Sequence, residues 1–92
     1  MLANNLYFNK TYETDVLNIN LNDTTSKAIF SEDVSKLINS PVNTEKFIAS
    51  KEVFIKSQKH YIVRLTELYP VPGRIWINTY NLQEWQGWKS IT

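Results

Sequence analysis

Arg74-Ile75-Trp76-Ile77-Asn78-Thr79-Tyr80-Asn81-Leu82-Gln83-Glu84-Trp85-Gln86-Gly87-Trp88-Lys89-Ser90-Ile91-Thr92 is the stretch that decides the fold. It holds all three tryptophans and one of only two glycines. The pattern predicts two β-strands joined by a short polar turn. Side chains alternate along a strand, so Ile75, Ile77 and Thr79 share one face. Arg74, Trp76, Asn78 and Tyr80 share the other. Both faces carry large apolar groups, so one of them needs a partner or a ligand. The expectation is that Ile75 and Ile77 enter the protomer core, while Trp76 and Tyr80 meet a neighbouring subunit or a sugar.

Working back from this stretch, Pro70-Val71-Pro72-Gly73 forms a tight turn. Before it, His60-Tyr61-Ile62-Val63-Arg64-Leu65-Thr66 alternates with Tyr61, Val63 and Leu65 inward and Ile62, Arg64 and Thr66 outward. Lys56-Ser57-Gln58-Lys59 is a polar hairpin turn. Phe47 through Ile55 reads as a strand, with a bulge expected at Ser50-Lys51-Glu52. The important pairs are 52–56 with 60–66, 60–66 with 74–80, and 74–80 with 85–91.

The first half is less regular. Leu17, Ile19 and Leu21 alternate with Asn18 and Asn20, which predicts a half-buried strand. Asn22-Asp23-Thr24-Thr25-Ser26 is a turn cluster, and 27–31 a short strand. Val34, Leu37 and Ile38 have helical spacing, but the window is too short for more than a loop with one helical turn. Residues 39–44 form a loop with Pro41. Residues 1–16, including the apolar knot Leu6-Tyr7-Phe8, read as a connector or N-terminal edge segment. Residues 17–92 form one domain. The expected fold is all-β, a small antiparallel meander or sandwich of five to six short strands.

Composition narrows the function. A chain of 92 residues buries roughly 60–65% of its unfolded surface, so its core is small and oligomerisation would help it. A formal charge of +1 is too small to make nucleic acid a main partner. There are no cysteines and a single histidine, so thiolate metal sites and disulfides are excluded. His60, at a strand start, reads as a surface residue. No apolar run reaches the length of a membrane helix, and no membrane insertion is expected. The N-terminus lacks the charged and apolar regions of a signal peptide.

No catalytic constellation stands out. Glu32 and Asp33 are adjacent and form a solvated pair. Glu84 has no second carboxylate nearby to make a glycosidase pair. Gly-x-Ser-x-Gly is absent, and two glycines cannot build a phosphate-cradling loop. The expectation is a non-enzyme without cofactor or metal.

The aromatic cluster admits three readings. It is core, a carbohydrate platform, or a subunit interface. On a regular strand Trp85 and Trp88 would face opposite ways, unless Gly87 bulges and brings both to one face. As a sugar platform, the rings would stack while Asn78, Asn81, Gln83 or Gln86 bond hydroxyls. The candidate ligand-binding set is Trp76, Asn78, Tyr80, Trp85, Gln86 and Trp88.

Arg74-Ile75-Trp76-Ile77-Asn78-Thr79-Tyr80-Asn81, followed by Glu84-Trp85-Gln86-Gly87-Trp88-Lys89-Ser90-Ile91, resembles the closing signature of the knob domain of bacteriophage tail fibres and pyocin-like particles. Leu37-Ile38-Asn39-Ser40-Pro41 resembles a loop of that family, and Val63-Arg64-Leu65-Thr66 its penultimate strand. The resemblance spans about 17–92. Many members carry Arg where Asn78 stands and Ser or Thr where Gln86 stands. The resemblance implies a virion component, a homotrimer, on a tail fibre or baseplate, contributing to host attachment through a bacterial cell-surface glycan or protein. A structural trimerisation cap and a carbohydrate-binding module beside a cell-wall hydrolase are the alternatives.

Overall fold

The computed structural model describes residues 15–21, 27–31, 33–42 and 44–91. Residues 1–14 of the connector read at 1–16, with the knot Leu6-Tyr7-Phe8, and the turn cluster at 22–26 lie outside the described residues.

Among the described residues, six strands form one antiparallel sheet. They are β1 (Lys27–Ser31), β2 (Ile48–Ser57), β3 (His60–Tyr69), β4 (Ile75–Asn81), β5 (Glu84–Trp85) and β6 (Lys89–Ser90). The order is β1-β2-β3-β4-β5, with β6 also paired to β4. The expected all-β class and the three main pairings are present. Long alternating strands joined by short turns make neighbours pair in sequence order, which is a meander.

Register fixes the two faces. Tyr61 pairs with Tyr80, Val63 with Asn78 and Leu65 with Trp76. Across β2, Val53 pairs with Val63 and Lys51 with Leu65. Directly opposed residues share a face, so Ala49, Lys51, Val53, Tyr61, Val63, Leu65, Glu67, Trp76, Asn78 and Tyr80 belong to one inner face. Within that set, Ala49, Lys51, Val53, Tyr61, Val63, Leu65, Glu67 and Asn78 are buried. Ile62, Arg64, Thr66, Ile75, Ile77 and Thr79 lie on the opposite, outer face. This confirms the predicted facing of 61–66 and reverses that of β4. Trp76 packs against the core, whereas Ile75 and Ile77 do not belong to it. The reversal follows from register, because Trp76 is locked opposite the buried Leu65 and Ile77 opposite the half-buried Arg64.

A second layer covers the inner face. It contributes Val16, Val34 and Phe47 to the buried cluster, with Leu17, Ile19, Leu37 and Val42 packed beside it. The strand predicted over Val16 to Leu21 does not form. Leu17 and Ile19 do reach the core, but local and side-chain partners take the backbone groups. Asp15 accepts from the Leu17 amide at 2.9 Å, and the Asn18 amide bonds the Asp15 carbonyl at 3.1 Å. The buried Lys51 ammonium donates to the Asn18 carbonyl at 3.0 Å. A parallel bridge joins Asp15 to Ile38, with the Val16 amide on the Ile38 carbonyl at 3.0 Å. The expected helical turn is a 3₁₀ turn, Val34–Lys36. Asp33 caps it and also receives the Phe47 amide at 3.2 Å, stitching the turn to the entrance of β2.

The bulge predicted at 50–52 is absent. Inward alternation runs unbroken through Ala49, Lys51 and Val53, with register shifts at Ile48/Ala49 and Ile55/Ser57 instead. Pattern reading faltered there because Lys51 occupies a core position that a sequence normally gives to an apolar residue.

Candidate functional site

The C-terminal aromatics build the inner face. Between β5 and β6 the pairing with β4 slips by one residue, so three residues, 86–88, oppose Asn78 and Thr79. Gly87 absorbs the extra residue at φ +100°. Its amide donates to the buried Asn78 Oδ1 at 3.0 Å. Trp85 and Trp88 are thereby brought to the same core, as a bulge at Gly87 was expected to do.

The six sequence-nominated residues are placed as follows. Trp76 sits over Glu67 and donates its indole N–H to Oε1 at 3.1 Å. Arg74 lies over the Trp76 ring at 4.9 Å and binds the same carboxylate at 2.7 and 3.1 Å. The Val71 amide adds a fourth donor at 2.9 Å. Burial by itself would raise the Glu67 pKa. The bonds from Arg74, Trp76 and Val71, with the Arg74 charge, outweigh it and hold the carboxyl below its ordinary value. Asn78 is spent on Gly87. Tyr80 stacks on Tyr61 at 4.6 Å with ring planes 5° apart, and Trp85 meets both edge-on at 5.4 and 5.5 Å. Burial, followed by the neighbouring Tyr80, raises the Tyr61 hydroxyl above its usual range. Gln86 donates to the Asn81 and Glu84 carbonyls. Trp88 donates to the Asn39 carbonyl at 2.7 Å, tying the C-terminal strand to the covering layer. Tyr80, Trp85 and Tyr61 meet as one group, while Trp76 and Trp88 engage separate partners.

The outer face has no covering layer among the described residues. Phe54 and Ile62 are directly paired across β2 and β3, and both are exposed. Arg64 lies over Phe54 at 5.2 Å and binds Glu52 through Nε at 2.9 Å and Nη2 at 2.6 Å. At the hairpin end of the sheet, a depression of about 310 Å³ is lined by Phe54, Lys56, His60, Ile62, Thr79 and Asn81, with Ile55, Tyr61 and Tyr80 completing its wall. That volume is at the lower end for small-ligand sites. No acidic side chain lines it.

Two features mark this end as unusual. Asn81 Oδ1 is buried and accepts no hydrogen bond from any described residue, a state costing about 1–3 kcal/mol. Leu82 and Gln83, the two residues of the β4–β5 turn, both hold positive φ, 51° and 67°. Turns of that geometry favour Asn and Gly, and a branched Leu there is strained. Leu82 is also 84% exposed, so burial does not repay the strain. Strain without burial is a pointer to function.

Phe54, Ile62, Thr79 and Leu82 were not among the nominated residues. The signal available for them was the outward parity of Ile62 together with a two-residue turn lacking glycine.

No protein family, curated protein or solved structure matches this chain. Among the described residues no group of three or more His, Asp and Glu could hold a metal ion. No helix among them is long and apolar enough to cross a membrane.

Proposed function

We propose that the chain is a non-enzymatic attachment domain, of the kind carried by a phage tail fibre or baseplate appendage. It self-associates as a homotrimer on the virion and contacts a bacterial cell-surface glycan or protein. The observation that carries this reading is the one-sided sheet. Its inner face is covered, and its outer face presents Phe54, Ile62, Ile75 and Ile77 around Arg64, with the exposed Leu82 at the tip. The resemblance of residues 74–91 to the tail-fibre knob supports the same reading. Three weak sites on one rigid tip would gain avidity through effective concentration. Such binding needs no strong individual pocket, which suits a shallow depression.

Sedimentation velocity at micromolar concentration tests the assembly, with a trimer expected and a stable monomer counting against it. A bacterial glycan array probed with the same preparation tests attachment. An intact trimer that is silent on the array and on host cells would favour a structural cap.

A further inference from the structure

We propose that the depression between the two hairpins at the end of the outer face is a subsite for one carboxylated pyranose unit. This deepens the attachment reading and rests on it for the biological setting alone, because the chemistry comes from the depression itself. Phe54 and Ile62 offer an exposed apolar wall. A pyranose ring has an apolar C–H face that an aromatic face attracts through its quadrupole. Asn81 lines the depression as well, and a side-chain amide carries both a donor and an acceptor for sugar hydroxyls. Thr79 stands beside Asn81 on the same face and offers a hydroxyl that both donates and accepts.

Charge selects among sugars. Lys56 and His60 line the depression and no acidic side chain does; Glu84, paired with Asn81 on β5, stands three strands from Lys56, so an anionic group is directed to the Lys56 edge. A uronic carboxylate at the Lys56 edge, with the ring over Phe54 and a hydroxyl at Asn81, uses each of these groups once. The strained Leu82-Gln83 turn follows directly on Asn81 and fixes the strand end that carries it.

The test is an NMR titration of the full chain with methyl glucuronide and, separately, methyl glucoside. The glucuronide is expected to give saturable amide shifts at Phe54, Lys56, Ile62, Thr79 and Asn81, with weak affinity typical of a single sugar. Asn81→Ala should weaken it roughly tenfold, the loss of one well-made hydrogen bond. Lys56→Ala, at an exposed position that the fold tolerates, should weaken the glucuronide several-fold and leave the glucoside unchanged. Absence of saturable shifts at tens of millimolar overturns the subsite. Shifts centred on Trp85–Trp88 overturn it as well, and equal affinity for the two sugars overturns the acid preference. Array binding by the wild type that survives Asn81→Ala unchanged would leave attachment standing and remove this subsite. Glucuronide shifts in a chain silent on the array would do the reverse.

Discussion

Replacing Glu67 by Gln strikes a buried side chain that receives four donors. Its carboxylate is fully buried and receives Arg74 Nε at 2.7 Å, Arg74 Nη2 at 3.1 Å, Trp76 Nε1 at 3.1 Å and the Val71 amide at 2.9 Å. Gln keeps one acceptor oxygen. Its amide nitrogen then faces donors, and the Arg74 charge loses its counterion. Breaking a buried pair from one side costs about 3–5 kcal/mol. Arg74 is 27% exposed, so water partly rehydrates it, which places the loss near the lower end, at about 3 kcal/mol. That is a large share of the roughly 5–14 kcal/mol expected for a domain of this size. It corresponds to a melting temperature lower by about 12–24 °C. Urea denaturation followed by tryptophan fluorescence reads it, with the denaturant slope unchanged. A double variant with Arg74→Met should recover part of the loss, since no orphan charge remains. A Glu67→Gln loss below about 1 kcal/mol would show that the buried pair does not hold the sheet.

Acid should act on the same group. The Glu67 carboxyl is held below its ordinary value, as is that of Asp33, chiefly through the Ser35 hydroxyl, with the Phe47 and Ser35 amides and the Lys36 charge adding to it against the effect of burial. A depressed folded-state pKa contributes stability that is complete above the unfolded value, 4.5 for Glu67 and 3.8 for Asp33, and is lost as pH falls through the folded one. Unfolding free energy should therefore fall below about pH 5, and Glu67→Gln should flatten that slope; at the alkaline end the raised Tyr61 hydroxyl makes stability fall again as pH passes the unfolded value of 10.0. Leu82→Asn with Gln83→Gly relieves two strained positive-φ residues, and thermal melting should show a gain of about 1–2 kcal/mol. Asn78→Ala strips the Gly87 amide of its acceptor and leaves a small cavity, and chemical denaturation should show a loss of about 1–3 kcal/mol.

Much of the fold was legible because β3 is nearly ideal. Tyr61, Val63 and Leu65 alternate with Ile62, Arg64 and Thr66, and the structure keeps that facing. The sequence left the facing of Trp85 and Trp88 conditional on a bulge at Gly87, and the slip between β5 and β6 meets that condition. The facing of β4 was not legible. Both of its faces are apolar, and only the pairing of Trp76 with Leu65 decides between them. Lys51 and Glu67 hid the core because a sequence pattern reads a charged residue as outward, whereas Asn18, 33 residues away, and Arg74, across the turn after β3, hold these two inside. The segment 17–21 has strand periodicity but spends its backbone on Asp15 and Lys51, contacts that no local pattern reveals. The outer depression was half-visible. Asn81 and Gln83 were considered as sugar partners; Asn81 lines the depression and Gln83 does not, and Phe54 joins Asn81 only through the β2–β3–β4 register.

The central claim is that the aromatic face is core and the outer face makes contact. Its most direct test is a bacterial glycan array probed with wild type, Ile62→Asp and Gln86→Ala, each with its melting temperature recorded. Ile62→Asp should melt near wild type and lose at least about tenfold in binding, while Gln86→Ala should bind as wild type does. Binding abolished by Gln86→Ala and untouched by Ile62→Asp would contradict it.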